Sequence, residues 1–254
     1  MKSIIWLRND LRTLDNPALW HACQSSEEVI AIYVVAEKQW KKHGDAKCKV
    51  DFWLRSLQSL EKSLKKLNIP LQIIDGVDYQ NTTKEIFKFC KANNISNVYF
   101  NLEYPINELE RDRSTYQYLK ENGIGVHTFH DQVIHQPGTL KTGAGNNFSV
   151  YSPFKRKWYE LLEDDMLVLY PIPEAKKRSD KKSSDLSSLV KKYYSSICDD
   201  WKVGEDHIQE ELSKFLQQKG GKYKEERNFP GIDGCSKVSP YLNAGVVSAK
   251  WCLV

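Results

Sequence analysis

Five short runs of β-branched and aromatic residues recur through the first half of the chain, each separated from the next by a stretch with helical spacing. The runs are Ser3–Leu7, Val29–Val35, Leu71–Asp75, Asn97–Asn101 and Val126–His130. None alternates cleanly between apolar and polar residues, so both sides of each strand are expected to be buried. Between them, Val50, Trp53, Leu54, Leu57, Leu60, Leu64 and Leu67 form one apolar stripe opposite Lys and Glu. Ile86, Phe89 and Cys90 mark a second helix, and Leu109, Tyr116 and Leu119 a third. Strand and helix in regular alternation predict an α/β fold, a doubly wound parallel sheet with helices on both faces. Such sheets bind ligands beyond the carboxyl ends of their strands.

After Asp131 the character changes. The stretch "QVIHQPGTLKTGAGNNFSVYSPF" is a long loop rich in Gly, Asn, Ser and Pro, and "FKRKWYELL" is a helix. A basic, Ser-rich connector follows, and "VGEDHIQEELSKFLQQ" opens a second, helical unit. We divide the chain into an α/β domain (1–131), a loop and linker (132–200) and the beginning of a helical domain (201–254). From Ser239 the pattern predicts a final helix, with Ser236 and Ser239 placed to cap it and Val247, Trp251 and Val254 at helical spacing. An apolar helix with no stop signal and no polar tail leaves two readings: the helix packs on something already made, or the sequence has been cut, a fragment with those three side chains uncovered and adhesive.

Composition removes several function classes. The net charge is only +4, so no global field announces a nucleic-acid partner. The six cysteines form no C-x-x-C, and no Cys/His spacing suggests a metal site. We expect reduced thiols and a cytoplasmic protein. The apolar run in "MKSIIWLRNDLR" is too short for a signal peptide, and no stretch is long enough to span a membrane. No G-x-G-x-x-G follows the first strand, which removes most support for a nicotinamide dinucleotide.

Four groups of residues carry candidate chemistry. Arg8, Asp10 and Arg12 follow the first strand and read as a structural ion-pair network rather than catalysts. His43 follows the second strand, and Asn107 with Glu108 the fourth. The fold would bring those loops together, where a carboxylate beside an amide suits the donor edge of a flat heterocycle. A loop histidine and a helix cap are the ordinary alternatives. Lys155, Arg156 and Lys157 form either a solvated helix face or a phosphate contact. In "GKYKEERNFPGIDGCSKVSPYLNAG", Gly-rich turns lead into Ser236 and Ser239. Backbone N–H groups there suit a diphosphate, with Tyr223 and Arg227 as nearby donors.

Three of these stretches, in order, resemble the DNA photolyase/cryptochrome family, and within it the bacterial class I cyclobutane pyrimidine dimer photolyases. They are "WLRNDLRTLDNPAL", "SPFKRKW" and "YKEERNFPGIDGCSKVSPYLNAGVVS". The resemblance implies an α/β antenna domain, a long linker and an all-helical flavin domain, of which this chain holds the start. It implies FAD held near its diphosphate by Tyr223, Cys235, Ser236, Lys237, Val238 and Ser239. Cys235 stands where the family usually has Thr. It also implies an antenna, 5,10-methenyltetrahydrofolate, at His43, Asn107 and Glu108, with a deazaflavin as the alternative, and Arg227 facing DNA phosphate. The implied activity is light-driven repair of damaged DNA by reduced FAD in a monomer, with no catalytic residue inside this chain. The competing readings are a cryptochrome-like photoreceptor and a stand-alone pterin- or nucleotide-binding module.

Overall fold

The computed structural model describes all residues from Met1 to Val254. The five apolar runs are strands: β1 (Lys2–Leu7), β2 (Glu28–Val35), β3 (Leu71–Asp75), β4 (Asn97–Asn101) and β5 (Gly125–Phe129). All neighbours pair in parallel, in the order β3-β2-β1-β4-β5. The chain begins at the centre, winds outward to β3, then crosses back to lay β4 on the other side of β1. The connections are α1 (Pro17–Ser25), α2 (Glu37–His43) with α3 (Lys47–Lys66), α4 (Tyr79–Ala92) and α5 (Ile106–Glu121). The expected doubly wound sheet is therefore present.

Successive strand residues leave on opposite faces, so the sheet builds two cores. Ile5, Leu7, Ala31, Tyr33 and Tyr99 pack with α1 and α3 on one side. Ile4, Trp6, Ile30, Ile32, Val98 and Phe100 pack with Ile86 and Cys90 of α4 and Leu119 of α5 on the other. The α3 stripe is buried as its spacing predicts, from Val50 to Leu64. The α5 stripe is not. Leu109 and Tyr116 lie at the rim, and the face turned inward carries Arg111, Asp112, Thr115 and Leu119. An apolar pattern could not reveal that face, because its charges are buried against partners instead of against hydrocarbon.

The second half contributes α6 (Tyr151–Glu160), α7 (Ser187–Tyr193), α8 (Glu205–Gln218), α9 (Tyr223–Glu226) and α10 (Ser239–Ala244). The Ser-rich connector is an ordered strap along the free edge of β3. Ser184 N–H donates to the Leu71 carbonyl at 2.7 Å, and the Ser183 and Ser184 hydroxyls accept from Leu71 and Ile73 N–H at 3.2 and 3.1 Å. Its short polar side chains satisfy an edge that would otherwise offer unpaired groups to another chain. Glu205, at the start of α8, accepts from Thr13 N–H at 2.6 Å and Leu14 N–H at 3.0 Å, tying the helical segment to the loop after β1.

The terminal segment departs from expectation. α10 stops at Ala244 and does not run to Val254, because Gly245 adopts a left-handed φ of 67°. Gly245 N–H bonds Leu242 O at 3.1 Å and Val246 N–H bonds Tyr241 O at 2.9 Å, the paired bonds of a Schellman stop. Neither Ser236 nor Ser239 caps the helix. Val238 holds the N-cap position, and no side chain bonds there. Tyr241, Ala244, Val246 and Val247 are buried in the first core and Trp251 packs against it, so of the three residues expected to be uncovered only Val254 is exposed. Gly245 makes this seating close: an added Cβ would overlap the Asn9 carbonyl.

Beyond the carboxyl ends of β1 and β4 lies a charge network that is buried, not the surface set of ion pairs that the sequence suggests. Arg111 bonds Glu103 at 2.6 Å and Asp112 at 2.7 Å; Arg8 reaches Asp112 at 3.5 Å and the Asn101 carbonyl; Arg12 pairs with Asp131. The Arg8 and Arg111 guanidinium groups lie over the Trp6 ring at 4.2 and 4.9 Å. Asp10 accepts from Arg8 N–H and Asn101 Nδ2, each at 2.7 Å. Burial outweighs these donors and the Arg8 charge, and raises the Asp10 carboxyl to about 6.

Two measurements follow from these positions. Gly245→Ala should lower unfolding stability by about 3 kcal/mol or more, combining left-handed strain with backbone overlap. Gly44→Ala should cost only about 1 kcal/mol, since Gly44 has a similar φ of 68° but open space around it. For Asp10, the folded state holds the proton more tightly than the unfolded chain. Its contribution to stability is complete below the unfolded value of 3.8 and is lost as pH rises through about 6. Denaturation from about pH 8 to about pH 5 should therefore favour the native chain over Asp10→Asn by about 1 kcal/mol; parallel curves would contradict the shift.

Candidate functional site

A cleft of about 560 Å³ opens over the strand ends. Its floor is Arg8 and Asn9 after β1 and Glu103 after β4. One wall is Trp40 and His43 of α2 with Glu108 of α5, and the opposite wall is Ser239, Leu242 and Val247 of the terminal segment. β2 and β3 lie on one side of β1, and β4 on the other, so loops leaving these strands diverge and leave a crevice.

The structure brings His43, Asn107 and Glu108 together. α2 ends at Gly44 in a left-handed C-cap, which leaves His43 in its last turn. Glu108 stands in the first turn of α5, where the helix dipole favours an anion. Gln39 Nε2 and Asn107 Nδ2 approach His43 Nε2 at 2.7 and 3.1 Å. His43 Nδ1 faces Glu108 Oε1 at 3.8 Å. Glu108 Oε2 has no hydrogen-bond partner in the protein. Asn107 itself turns away from the cleft toward a neighbouring polar groove with Lys38, Lys42 and Arg111.

Sequence reading missed Tyr79, Trp40 and Trp53. The Tyr79 hydroxyl donates to Glu108 Oε1 at 3.0 Å, its ring meets His43 edge-on at 5.9 Å, and Arg111 lies over it at 4.6 Å. Burial raises the phenol well above its ordinary range, so it remains a donor. A signal was available: Asp78 caps α4 directly after β3, which puts Tyr79 at the ligand-binding end of the sheet. Trp40 and Trp53 lie 6.4 Å apart and also line the cleft, with Lys49 over Trp53 at 4.6 Å.

The residues expected around a flavin diphosphate are less unified. Cys235, Ser236 and Lys237 line a second cleft of about 540 Å³ against α8, whereas Ser239 opens to the first and Tyr223 lines neither. Val238 packs against the core. Lys237 has a φ of 53° and pairs with Asp233 at 2.8 Å; Lys219 shares that carboxylate at 2.9 Å, and the two ammonium donors lower Asp233 to about 2. The N–H groups of Ser236 and Lys237 have no backbone acceptor, and neither serine hydroxyl has a protein partner. This donor set fits a phosphate, with the Cys235 thiol as a weaker donor. Arg227 is exposed, its guanidinium 5.5 Å from the Tyr223 ring. On α6, Lys157 is paired with Glu160 at 2.7 Å, while Arg156 makes no ion pair.

Comparisons agree with this architecture. Residues 3–176 match the family model described as DNA photolyase. The chain is 34% identical to a deoxyribodipyrimidine photo-lyase of Buchnera aphidicola over 99% of its own length and 52% of the relative's. It is 31% identical to one of Vibrio cholerae, covering 98% and 54%. The crystal structure of a bacterial class III photolyase from Agrobacterium tumefaciens superposes with a TM-score of 0.85 at 26% identity, over 99% of this chain and 52% of that one. The chain thus spans about half the length of the relatives it matches. With the family model matching residues 3–176, more than half of its length, this chain belongs to the DNA photolyase family.

Proposed function

We propose that the chain holds a 5,10-methenyltetrahydrofolate antenna in the cleft beside His43 and Glu108, and contributes the Cys235–Ser239 loop to an FAD site, in a light-dependent lyase that repairs cyclobutane pyrimidine dimers in DNA. The observation that carries the reading is the convergence of His43, from the last turn of α2, with Asn107 and Glu108, from the first turn of α5, beside a carboxylate oxygen with no protein partner. A carboxylate so held accepts the amino and ring N–H groups of a pterin. When bound, reduced FAD supplies the light-released electron that opens the cyclobutane ring, and the folate supplies near-ultraviolet absorption. The chain's own part is positional. Glu108 orients the heterocycle and His43 closes one side. Ser236, Lys237 and Ser239 offer donors to the flavin's phosphates, and Tyr223 is a further candidate contact. Arg227 offers an exposed cation to the DNA backbone, and Arg156 on α6 offers another. Affinity for DNA should then fall as salt rises.

Equilibrium titration of the chain with 5,10-methenyltetrahydrofolate, read by near-ultraviolet absorbance, tests the antenna assignment. The native chain should bind, and Glu108→Ala should weaken binding about tenfold or more, the scale of a lost charged hydrogen bond, while FAD binding is unchanged. Equal folate binding by the two chains would remove the assignment.

A further inference from the structure

The Glu108 carboxylate is held by a phenol, and that phenol is itself clamped. Tyr79 is the residue immediately after the Asp78 cap of α4, so its position is fixed by the helix start. Its ring is fixed twice more, by the Arg111 guanidinium over one face at 4.6 Å and by the edge of His43 at 5.9 Å. Arg111 in turn cannot shift, because Glu103 and Asp112 grip it at 2.6 and 2.7 Å in the buried network. The hydroxyl thus presents a rigid donor to Glu108 Oε1 at 3.0 Å. A free glutamate has three rotatable bonds, and a carboxylate that must meet a planar ligand edge-on loses affinity if it swings.

We infer that Tyr79 is a positioning residue for ligand recognition: by engaging Oε1 it fixes the Glu108 carboxylate with Oε2 available to the donor edge of a heterocycle in the cleft, and so sets selectivity for ligands carrying an amino group there. The inference rests on the antenna reading. It extends that reading to Tyr79, whose hydroxyl is engaged by Glu108. The chain of support runs from the Glu103–Arg111–Asp112 cluster through the Tyr79 ring to its hydroxyl, and from the hydroxyl to Glu108. His43 Nδ1 faces the same carboxylate oxygen at 3.8 Å, and its Nε2 lies 2.7 and 3.1 Å from Gln39 and Asn107.

Tyr79→Phe isolates the hydroxyl, since the ring and its contacts with Arg111 and His43 are retained. The full chain, its Y79F, E108A and double variants would be titrated with 5,10-methenyltetrahydrofolate, and bound folate would be competed with pterin and with lumazine, which carries an oxo group in place of the 2-amino group. Y79F should weaken folate binding about tenfold and erase the preference for pterin over lumazine. In the E108A background it should add nothing, the mark of two residues acting as a unit. The inference is overturned if Y79F binds as the native chain does, if it weakens pterin and lumazine equally, or if its effect adds to that of E108A. Failure of the native chain to bind folate, or full binding by E108A, instead overturns the antenna reading and this inference with it. Circular dichroism and the unfolding midpoint of Y79F should match those of the native chain.

Discussion

Three buried arginines at the mouth of the sheet hold the rest of the structure in place. Arg8, Arg12 and Arg111 stand where β1 and α5 approach the ligand-binding edge; Arg8 and Arg12 are matched by carboxylates of distant segments, and Arg111 by Glu103 and its neighbour Asp112. Partnering a buried charge incompletely costs about 3 to 5 kcal/mol, so these segments hold one register or none. Asp131 fixes the exit of β5, Asp112 and Glu103 fix the passage from β4 into α5, and Asn101 links β4 to both Asp10 and Asn16. Two arginine planes against Trp6 add dispersion and cation–π attraction to the charge pairing. The cleft above inherits its rigidity from this floor.

The fold was legible because its strands are buried on both faces, which yields continuous apolar runs and leaves little ambiguity in a chain that alternates with amphipathic helices. The α3 stripe is the clearest case. α5 was the hardest, since Arg111, Asp112 and Thr115 occupy positions where an apolar pattern would be sought, and their burial depends on polar partners instead of hydrocarbon. The terminal helix was misjudged for a related reason. Gly245 was visible, yet its role as a stop depends on Asn9 and Asp10 pressing against it from more than two hundred residues away. Of the site, His43, Asn107 and Glu108 follow from strand-end placement plus resemblance. Tyr79 did not, because a tyrosine at a helix start has no chemical signature until its hydroxyl is seen to meet a carboxylate.

The linker has a structural role that its composition conceals. A basic, Ser-rich stretch ordinarily signals a flexible tether, but here short hydroxyl side chains reach the backbone of β3, and Lys176 Nζ donates to the Cys23 carbonyl at 2.6 Å. Serine suits this task, since its hydroxyl serves as donor or acceptor with little side-chain entropy lost. At its far end, Arg55 of α3 donates to the carbonyls of Trp201 and Cys198 at 2.8 and 3.0 Å, so the path into α8 is gripped from the α/β layer.

The seating of Gly245 against the turn after β1 has a temporal consequence. One wall of the cleft is made by residues 239–249 and the floor by residues 8–12, so the two parts are synthesised more than two hundred residues apart. The sheet has every strand it needs once β5 has left the ribosome. The ligand cavity does not exist until Ala244 has bonded Leu11 and the last turn has settled on its glycine. A nascent chain therefore passes through a stage with a complete sheet and an open, unwalled mouth.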